Sequence, residues 1–504
     1  MSRPGIPIFV ATSILFGCVA IWHFSLPTSI AMAFAHLPNE LLENIIAYTL
    51  PEGFEALALT SKHIYTLCAP FIKHHNKLRF QFQEFFYYKT DRVVKSGLYV
   101  VVDPPAYTAC SAFNLMALIA VEPVIAHYIQ EADFENDSLW TKKKSPEFAT
   151  NFDYDGAVIE LLANSFYLKE AGIDWREYWA AIEEDIYDGS YSQHAAAFTL
   201  TLLPNAKTFK LPRWWKPIPA TDKLIDTVIG ITRQPCRPYD RPSIAQVSGF
   251  KAFGRRTSDS SELGFDISWA IPFLALPRVQ SFHGFNCVGM SGHRSIVSKF
   301  LDSGFEPAVE VVNISHSSMD GAAIADFLSN TPRLRALTYS HMTDGVPGFE
   351  RWDLCQFIMA IVNEAGAHLE ALSVRIDGLN GSIIPGKISM HGFQSLQKLE
   401  LPLEVVRCNI TFSVSASHVL LLNDIIPASV STLYLLSRGG NQHQKALEAL
   451  FCDFAARKDD QAPALKEIYL SCPTDATIMY KEQCEKLATE TEKAGVLLYL
   501  KPYY

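Results

Sequence analysis

A short apolar motif that recurs along this 504-residue chain limits the folds that are open to it. An apolar position is followed by others three and five residues later, and from residue 279 onward the copies begin 25 to 35 residues apart. Side chains alternate along a strand with a period of two, so the second and third positions of each copy share one face of a short strand. The copies are Ala206-Phe209-Leu211, Val279-Phe282-Gly284, Val309-Val312-Ile314, Leu334-Leu337-Tyr339, Leu369-Leu372-Val374, Leu396-Leu399-Leu401, Val430-Leu433-Leu435 and Leu465-Ile468-Leu470.

Helical patterns separate the later copies, over residues 321–328, 354–364, 443–456 and 480–494. One strand and one helix at this period resemble a leucine-rich repeat. Such repeats place Asn or Cys in the turn after the strand, and here only Cys287 meets that requirement, so we expect irregular repeats. An α/β domain with a parallel sheet and no solenoid is the alternative. Both interpretations bury parallel strands against helices, and both belong to the α/β class.

The composition is that of a folded protein with a large core, since apolar residues make up 49% of the chain and charged residues 19%. A formal net charge of −10 argues against a general nucleic-acid binder. The ten cysteines form no C-x-x-C pair and no cluster with histidine, so we predict reduced thiols, a cytoplasmic or nuclear location, and no metal or cofactor. The chain lacks the common glycine-rich, nucleophile-elbow and zinc-protease motifs, and we predict no catalytic activity.

Residues 36–79 have a compact helical pattern with a large apolar surface. Pro38 suits the first turn of a helix, and apolar residues follow at helical spacing until Pro51-Glu52-Gly53. A second short helix is predicted over 54–59. Thr60 is placed to cap a third helix, which we expect to end at Pro70.

The residues of this segment closely resemble the F-box motif, through Leu37-Pro38-Asn39-Glu40-Leu41-Leu42, Ile45-Ile46, and Leu57-Ala58-Leu59-Thr60-Ser61-Lys62. The continuation to residue 78 is similar to F-box proteins of filamentous fungi. The resemblance implies a three-helix module that docks onto the Skp adaptor and, through it, onto a cullin. The implied adaptor contacts are Leu37, Pro38, Leu41, Leu42 and Ile45. Ile46 and Leu57 are expected in the core of the module.

The first 35 residues have a different character, because no charged side chain lies between Arg3 and Glu40. Residues 6–26 are nearly long enough to cross a bilayer, which takes about 20 residues. A membrane segment here would send the F-box-like module into the lumen, where a Skp adaptor is not found. The alternatives are an over-extended gene model with Met32 as the start, a real membrane anchor, or a buried apolar extension.

We therefore predict four parts: an apolar extension over 1–35, an F-box over 36–80, a mostly helical connection over 81–190, and a leucine-rich-repeat-like domain over 191–504. The predicted function is that of a substrate-recognition subunit of a Skp-cullin-F-box ubiquitin ligase. The alternative is an F-box scaffold without a role in ubiquitination, with or without a membrane anchor at residues 6–26. The residues expected to contact a protein target are Trp214, Trp215, Tyr339, Tyr434 and Tyr469.

Overall fold

The computed structural model describes residues 37–87, 92–95, 98–101, 109–137, 152–188, 191–234, 242–254, 264–289, 306–343, 351–408 and 422–502. The predicted extension over 1–35, including residues 6–26, lies outside them. The chain forms two compact units, residues 1–209 with 217–247 and residues 210–216 with 248–504. The protein is of the α/β class, and its main sheet contains twelve parallel strands that alternate with helices.

The first unit is mainly helical. Its strands β1 (Glu84–Phe86), β2 (Glu131–Asp133) and the start of β3 (Thr208–Lys210) follow one another in the sheet, and Arg92–Lys95 pairs antiparallel with Leu98–Val101. Its helices are α1 (Asn39–Tyr48), α2 (Phe54–Ala58), α3 (Lys62–Phe82), α4 (Ala112–Val121), α5 (Val124–Tyr128), α6 (Phe152–Ala163), α7 (Phe166–Glu170), α8 (Trp175–Asp188), α9 (Gln193–Leu200) and α10 (Pro219–Thr232).

The second unit carries the longer run of strands. They lie in chain order: β4 (Gly249–Phe253), β5 (Ser281–Phe285), β6 (Val311–Met319), β7 (Ala336–Met342), β8 (Ala371–Gly378), β9 (Lys398–Pro402), β10 (Thr432–Leu436), β11 (Glu467–Ser471) and β12 (Leu497–Lys501). Phe265–Asp266 pairs with Cys287–Gly289, and Arg351–Trp352 pairs with Ser382–Ile383. The helices are a 3-10 turn (Ile267–Ala270), α11 (Ile271–Leu274), α12 (Gly321–Leu328), α13 (Leu354–Ala365), α14 (Leu422–Ile425), α15 (Asn441–Phe451), α16 (Phe454–Gln461) and α17 (Ile478–Lys493).

The apolar motif marks a strand at all eight predicted places, which confirms the prediction of parallel strands. Three further strands, which were not predicted, carry the same spacing with every position buried. These copies are Phe82-Phe85-Tyr87 at β1, Ile129-Ala132-Phe134 at β2, and Val247-Phe250-Ala252 at β4. The motif was missed there because aromatic and alanine side chains replace the usual leucine.

Several helices that follow a strand begin at a side chain that accepts a hydrogen bond from the first turn. Asp320 accepts from the amide of Ala323 at 2.8 Å, and Thr477 accepts from the amide of Tyr480 at 3.3 Å. Such caps satisfy amides that have no partner within the helix. They set the residue at which each chain segment turns from strand to helix.

Three helix ends differ from the predictions. Ser61, and not Thr60, caps α3 by accepting from the amide of Ile64 at 3.2 Å. The helix continues through Pro70 to Phe82. Pro70 has no N–H to donate to the preceding turn, and the burial of His75, Leu78 and Phe82 beyond it offsets that loss. The predicted helix over 443–456 is interrupted at Asp453, whose φ of 52° is left-handed.

No helix among the described residues is long and apolar enough to cross a membrane.

Candidate functional site

The three helices α1 to α3 enclose a small apolar cluster of their own. Its six buried members are Leu42, Ile46, Phe54, Ala58, Ile64 and Cys68. Six partly buried residues pack around them, namely Leu37, Leu50, Leu57, Leu67, Phe71 and Ile72. Every member lies between residues 37 and 72. The module therefore has an internal framework that can hold its outer surface in a fixed shape.

The outer surface of α1 is an apolar stripe, here called the α1 stripe, made of Pro38, Leu41, Ile45 and Tyr48. Their spacing of three, four and three residues places them on one side of a helix. Leu41 is 50% exposed and Tyr48 is 67% exposed, while Ile45 is half-buried. These are large apolar surfaces for an exposed helix, and they are available to a partner.

The structure separates the predicted adaptor contacts into two groups. Pro38 and Leu41 are exposed, and Leu37 is half-buried against the cluster. The prediction that Leu42 contacts the adaptor is wrong for this conformation, because its side chain is fully buried. Ile46 lies in the core as expected, and Leu57 packs at its margin. Tyr48 was missed as a candidate, although its spacing of seven residues from Leu41 could have identified it.

A polar pocket of about 190 Å³ lies beside this module in the first unit. His75 on α3 is buried next to it, and its Nδ1 is 2.7 Å from the Tyr128 hydroxyl of α5. Burial lowers the pKa of His75, and the Glu55 carboxylate, 3.7 Å from Nε2, opposes that shift. Glu55 also pairs with Arg79. The group ties α2, α3 and α5 together.

The face of the second unit opposite its buried leucines carries one residue per strand in a continuous row. In register across the sheet these residues are Lys251, His283, Asn313, Thr338, Ser373, Glu400, Tyr434, Tyr469 and Tyr499. Each residue lies between the second and third apolar positions of its motif. In β12, Tyr499 lies between Leu498 and Leu500 in the same way. Parallel strands that pair in equal register place equivalent residues side by side. The last three strands carry tyrosine at this position, so the row is aromatic at its β12 end.

The aromatic end of this row is a stack of three tyrosines, here called the tyrosine stack. The ring centroids of Tyr434 and Tyr469 are 4.6 Å apart at an angle of 10°, and those of Tyr469 and Tyr499 are 4.7 Å apart at 14°. The Nζ of Lys501 lies 4.5 Å from the Tyr469 ring centroid. Tyr499 is exposed, Tyr434 and Tyr469 are half-buried, and the Tyr469 hydroxyl donates to Glu467 at 3.3 Å. Tyr499 was not among the predicted contacts.

Charged side chains continue the same face. Arg375 on β8 makes an ion pair with Glu400 on β9, with one nitrogen–oxygen distance of 3.1 Å. His316 lies 3.7 Å from Asp377. Exposed pairs of this kind contribute little to stability, about 0–1 kcal/mol each. They give the face a defined charge pattern that a partner would have to match.

Two predicted target contacts are buried, so those predictions are wrong. Tyr339 is fully buried, and its hydroxyl donates to the Ser317 carbonyl at 2.9 Å. It occupies the third apolar position of its motif, which faces the core. Trp215 is also buried, with its ring 5.7 Å from that of Phe273. Trp214 is half-buried, while Tyr434 and Tyr469 lie on the open face.

Ser437, His443 and Glu404 form a chain of hydrogen-bonding side chains in the second unit. The Ser437 hydroxyl is 3.0 Å from His443 Nδ1, and His443 Nε2 is 3.3 Å from Glu404. Burial alone would raise the pKa of Glu404, but the bond and charge of His443 outweigh it and lower that pKa. Nδ1 also accepts from the Arg438 amide, and the serine is buried. This group braces the turn between β10 and α15 and exposes no nucleophile.

Among the described residues, no group of three or more His, Cys, Asp or Glu side chains is placed to hold a metal ion. No protein-family model matches the chain, and a comparison with curated proteins finds no significant match.

Proposed function

We propose that this chain is a substrate-recognition subunit of a Skp-cullin-F-box ubiquitin ligase. The observation that carries the proposal is the α1 stripe, an exposed apolar surface on a three-helix module whose residues resemble the F-box. In this role the stripe binds the Skp adaptor. The apolar cluster inside the module, from Leu42 to Cys68, fixes the orientation of α1, so the α1 stripe stays on the outer surface.

The second part of the proposal is that the second unit is an irregular leucine-rich-repeat-like solenoid. Its support is the strand order, because nine parallel strands from β4 to β12 follow one another without a reversal. A doubly wound α/β sheet reverses its order at a switch point. A stacked repeat adds each strand beside the one before it and leaves one long open face for a partner.

The open face is where we expect the target protein to bind, with the tyrosine stack as its aromatic anchor. Tyrosine is among the residue types that dominate interface energies. The proposed contribution of the chain is proximity: holding a target near a ubiquitin-charged enzyme raises the effective concentration of target lysines. No acid, base or nucleophile of this chain takes part in that step.

Retention of the full-length chain by an immobilised recombinant Skp adaptor tests the docking part. We expect wild type to bind, and the pair Leu41→Ala and Tyr48→Ala to lose most of that binding while its thermal unfolding is unchanged. Phe80→Ala is the matched control, since Phe80 is an exposed aromatic residue on α3 outside the stripe. Normal retention of the double variant, or no retention of wild type, would reject the proposed surface.

A comparison of partners tests the ligase role. Proteins that copurify with wild type from its native cells are compared with those of Tyr434→Ala plus Tyr469→Ala, which should lose the target and keep the adaptor. The abundance of that target should rise when cullin activity is blocked. Adaptor binding with no cullin-dependent change in any partner would favour the scaffold alternative.

A further inference from the structure

The last strand of the second unit has an open long side. Among the strands that the structure describes, β12 pairs only with β11. The Leu497 amide donates to the Lys466 carbonyl at 2.9 Å, and the Lys501 carbonyl accepts from the Cys472 amide at 2.7 Å. Bonding sides alternate along a strand, so the N–H and C=O of Leu498 and Leu500 point away from β11. Such a row is a template for another strand.

The side chains of β12 are apolar and open to solvent. Leu497 is 57% exposed, Leu500 is 46% exposed, and Tyr499 is also exposed. Leu500 is in register with Leu470, which is fully buried, so it belongs to the core face of the sheet. In a stacked repeat array, the core-face residues of one unit are covered by the next unit. Here leucine occupies that position.

We propose that β12 is a self-association edge, which pairs antiparallel with β12 of a second copy of this chain around Tyr499. In an antiparallel pair, opposed residues that point toward each other exchange both backbone bonds. The outward groups of Leu498 and Leu500 flank Tyr499 symmetrically. Leu498 therefore exchanges two backbone hydrogen bonds with the second copy's Leu500. A two-fold axis relates the two copies, so Leu500 and the second copy's Leu498 make the same two bonds, and the pair has four in all.

The side chains support this pairing. When this two-fold axis is perpendicular to the sheet, the core faces of the two copies lie on the same side of the joined sheet. Leu498 and Leu500 of one copy then cover the same leucines of the other. The tyrosine stack meets its own copy and becomes continuous. The pairing also sets Lys501 opposite the second copy's Leu497, whose neighbour in register on β11 is Glu467. In each copy Lys501 lies over its own Tyr469 and Glu467 accepts from that tyrosine's hydroxyl, so a positive and a negative side chain border the paired edge in both copies.

A proline at position 500 tests the proposal without disturbing the isolated fold. The amide of Leu500 points to the open side, where an edge strand tolerates proline. Leu500→Pro removes two of the four backbone bonds of the pair, and we expect the dissociation constant to rise about tenfold or more. Leu500→Val is the matched control, because it also shortens the side chain but keeps the N–H. Sedimentation equilibrium should show wild type and Leu500→Val at twice the chain mass of 56.3 kDa at concentrations where Leu500→Pro is a monomer.

Cysteine cross-linking gives a second readout that a fold defect would not produce. Tyr499→Cys should form an intermolecular disulfide with oxidised glutathione, since the two copies of position 499 are directly opposed, whereas Leu497→Cys faces Lys501 and should not. Wild type that stays monomeric at all concentrations overturns the proposal. So does a dimer that Leu500→Pro leaves intact, or equal cross-linking at positions 497 and 499.

Discussion

Protonation of one buried histidine should make the second unit sensitive to mild acid. His341 on β7 is fully buried, and its ring stacks on Trp352 with centroids 3.6 Å apart. Its Nδ1 is 2.9 Å from the Tyr339 hydroxyl. That hydroxyl donates to Ser317, so Nδ1 carries the proton and Nε2 is the unprotonated nitrogen. Nε2 has no hydrogen-bond partner among the described residues, and a proton added there would be a buried cation without a partner from that part of the chain.

Burial accordingly lowers the pKa of His341 from 6.5 to about 3. Between these values the unfolded chain binds a proton that the folded chain does not, so stability falls as the pH falls below 6.5. Linkage gives a loss of about 2 kcal/mol between pH 7 and pH 5 from this residue alone. Above pH 6.5 the stability that the neutral His341 contributes is fully present. Near pH 3 the folded chain also binds the proton, and the loss of stability from this residue is complete.

Urea unfolding at pH 7 and pH 5 measures this loss, with His341→Phe as the comparison because phenylalanine keeps a flat ring against Trp352. The free energy of unfolding of wild type should fall by about 2 kcal/mol more than that of the variant. His63→Phe is the control, since His63 is exposed and is solvated in both states. Equal losses in wild type and His341→Phe would refute the argument, as would an NMR titration of His341 near pH 6.5 in the folded protein.

Three further comparisons test the core of the three-helix module, the tyrosine stack and one glycine turn. Ile46→Ala opens the core of the three-helix module and should destabilise it by about 2–4 kcal/mol, whereas Leu41→Ala should change its stability by under about 0.5 kcal/mol, as thermal unfolding followed by circular dichroism would report. Tyr469→Ala removes both contacts of the tyrosine stack and should cost about 1–2 kcal/mol; a double-mutant cycle with Tyr434→Ala should recover part of that cost, and strict additivity would count against stacking. Gly439→Ala should destabilise the second unit by more than about 1 kcal/mol in urea, because Gly439 has a φ of +70° and a new Cβ would lie 2.5 Å from that of Ala476; a neutral result would show that this turn relaxes freely.

The repeating strands were predictable because their signal is local. A strand with one buried face needs apolar residues two apart, and the preceding turn adds a third, so the spacing of Leu465, Ile468 and Leu470 is visible without any partner strand. The same spacing at Phe82, Phe85 and Tyr87 was present but carried by aromatic residues. A sequence search that accepts aromatic and alanine residues at the apolar positions would have found it.

The identity of the outer face was only partly predictable. Tyr339 is at the third apolar position of its motif, so the pattern itself places it in the core, and its prediction as a target contact conflicted with that spacing. Tyr434 and Tyr469 precede that position by one residue and therefore face outward. Their stacking required the two strands to pair in equal register, which depends on turns and helices of unequal length between them.

The sequence by itself determined the eight strands whose apolar motif it shows, and that α1 would have one apolar side, since both depend on spacing within a few residues. Tertiary structure decided which of the adjacent pair Leu41 and Leu42 faces solvent. Both fit a helical apolar stripe, and only the packing of α2 and α3 selects the side of α1 that is covered. It also decided that β12 has one partner, β11, among the described strands, because backbone groups are exposed or paired according to neighbours that lie far apart in the chain.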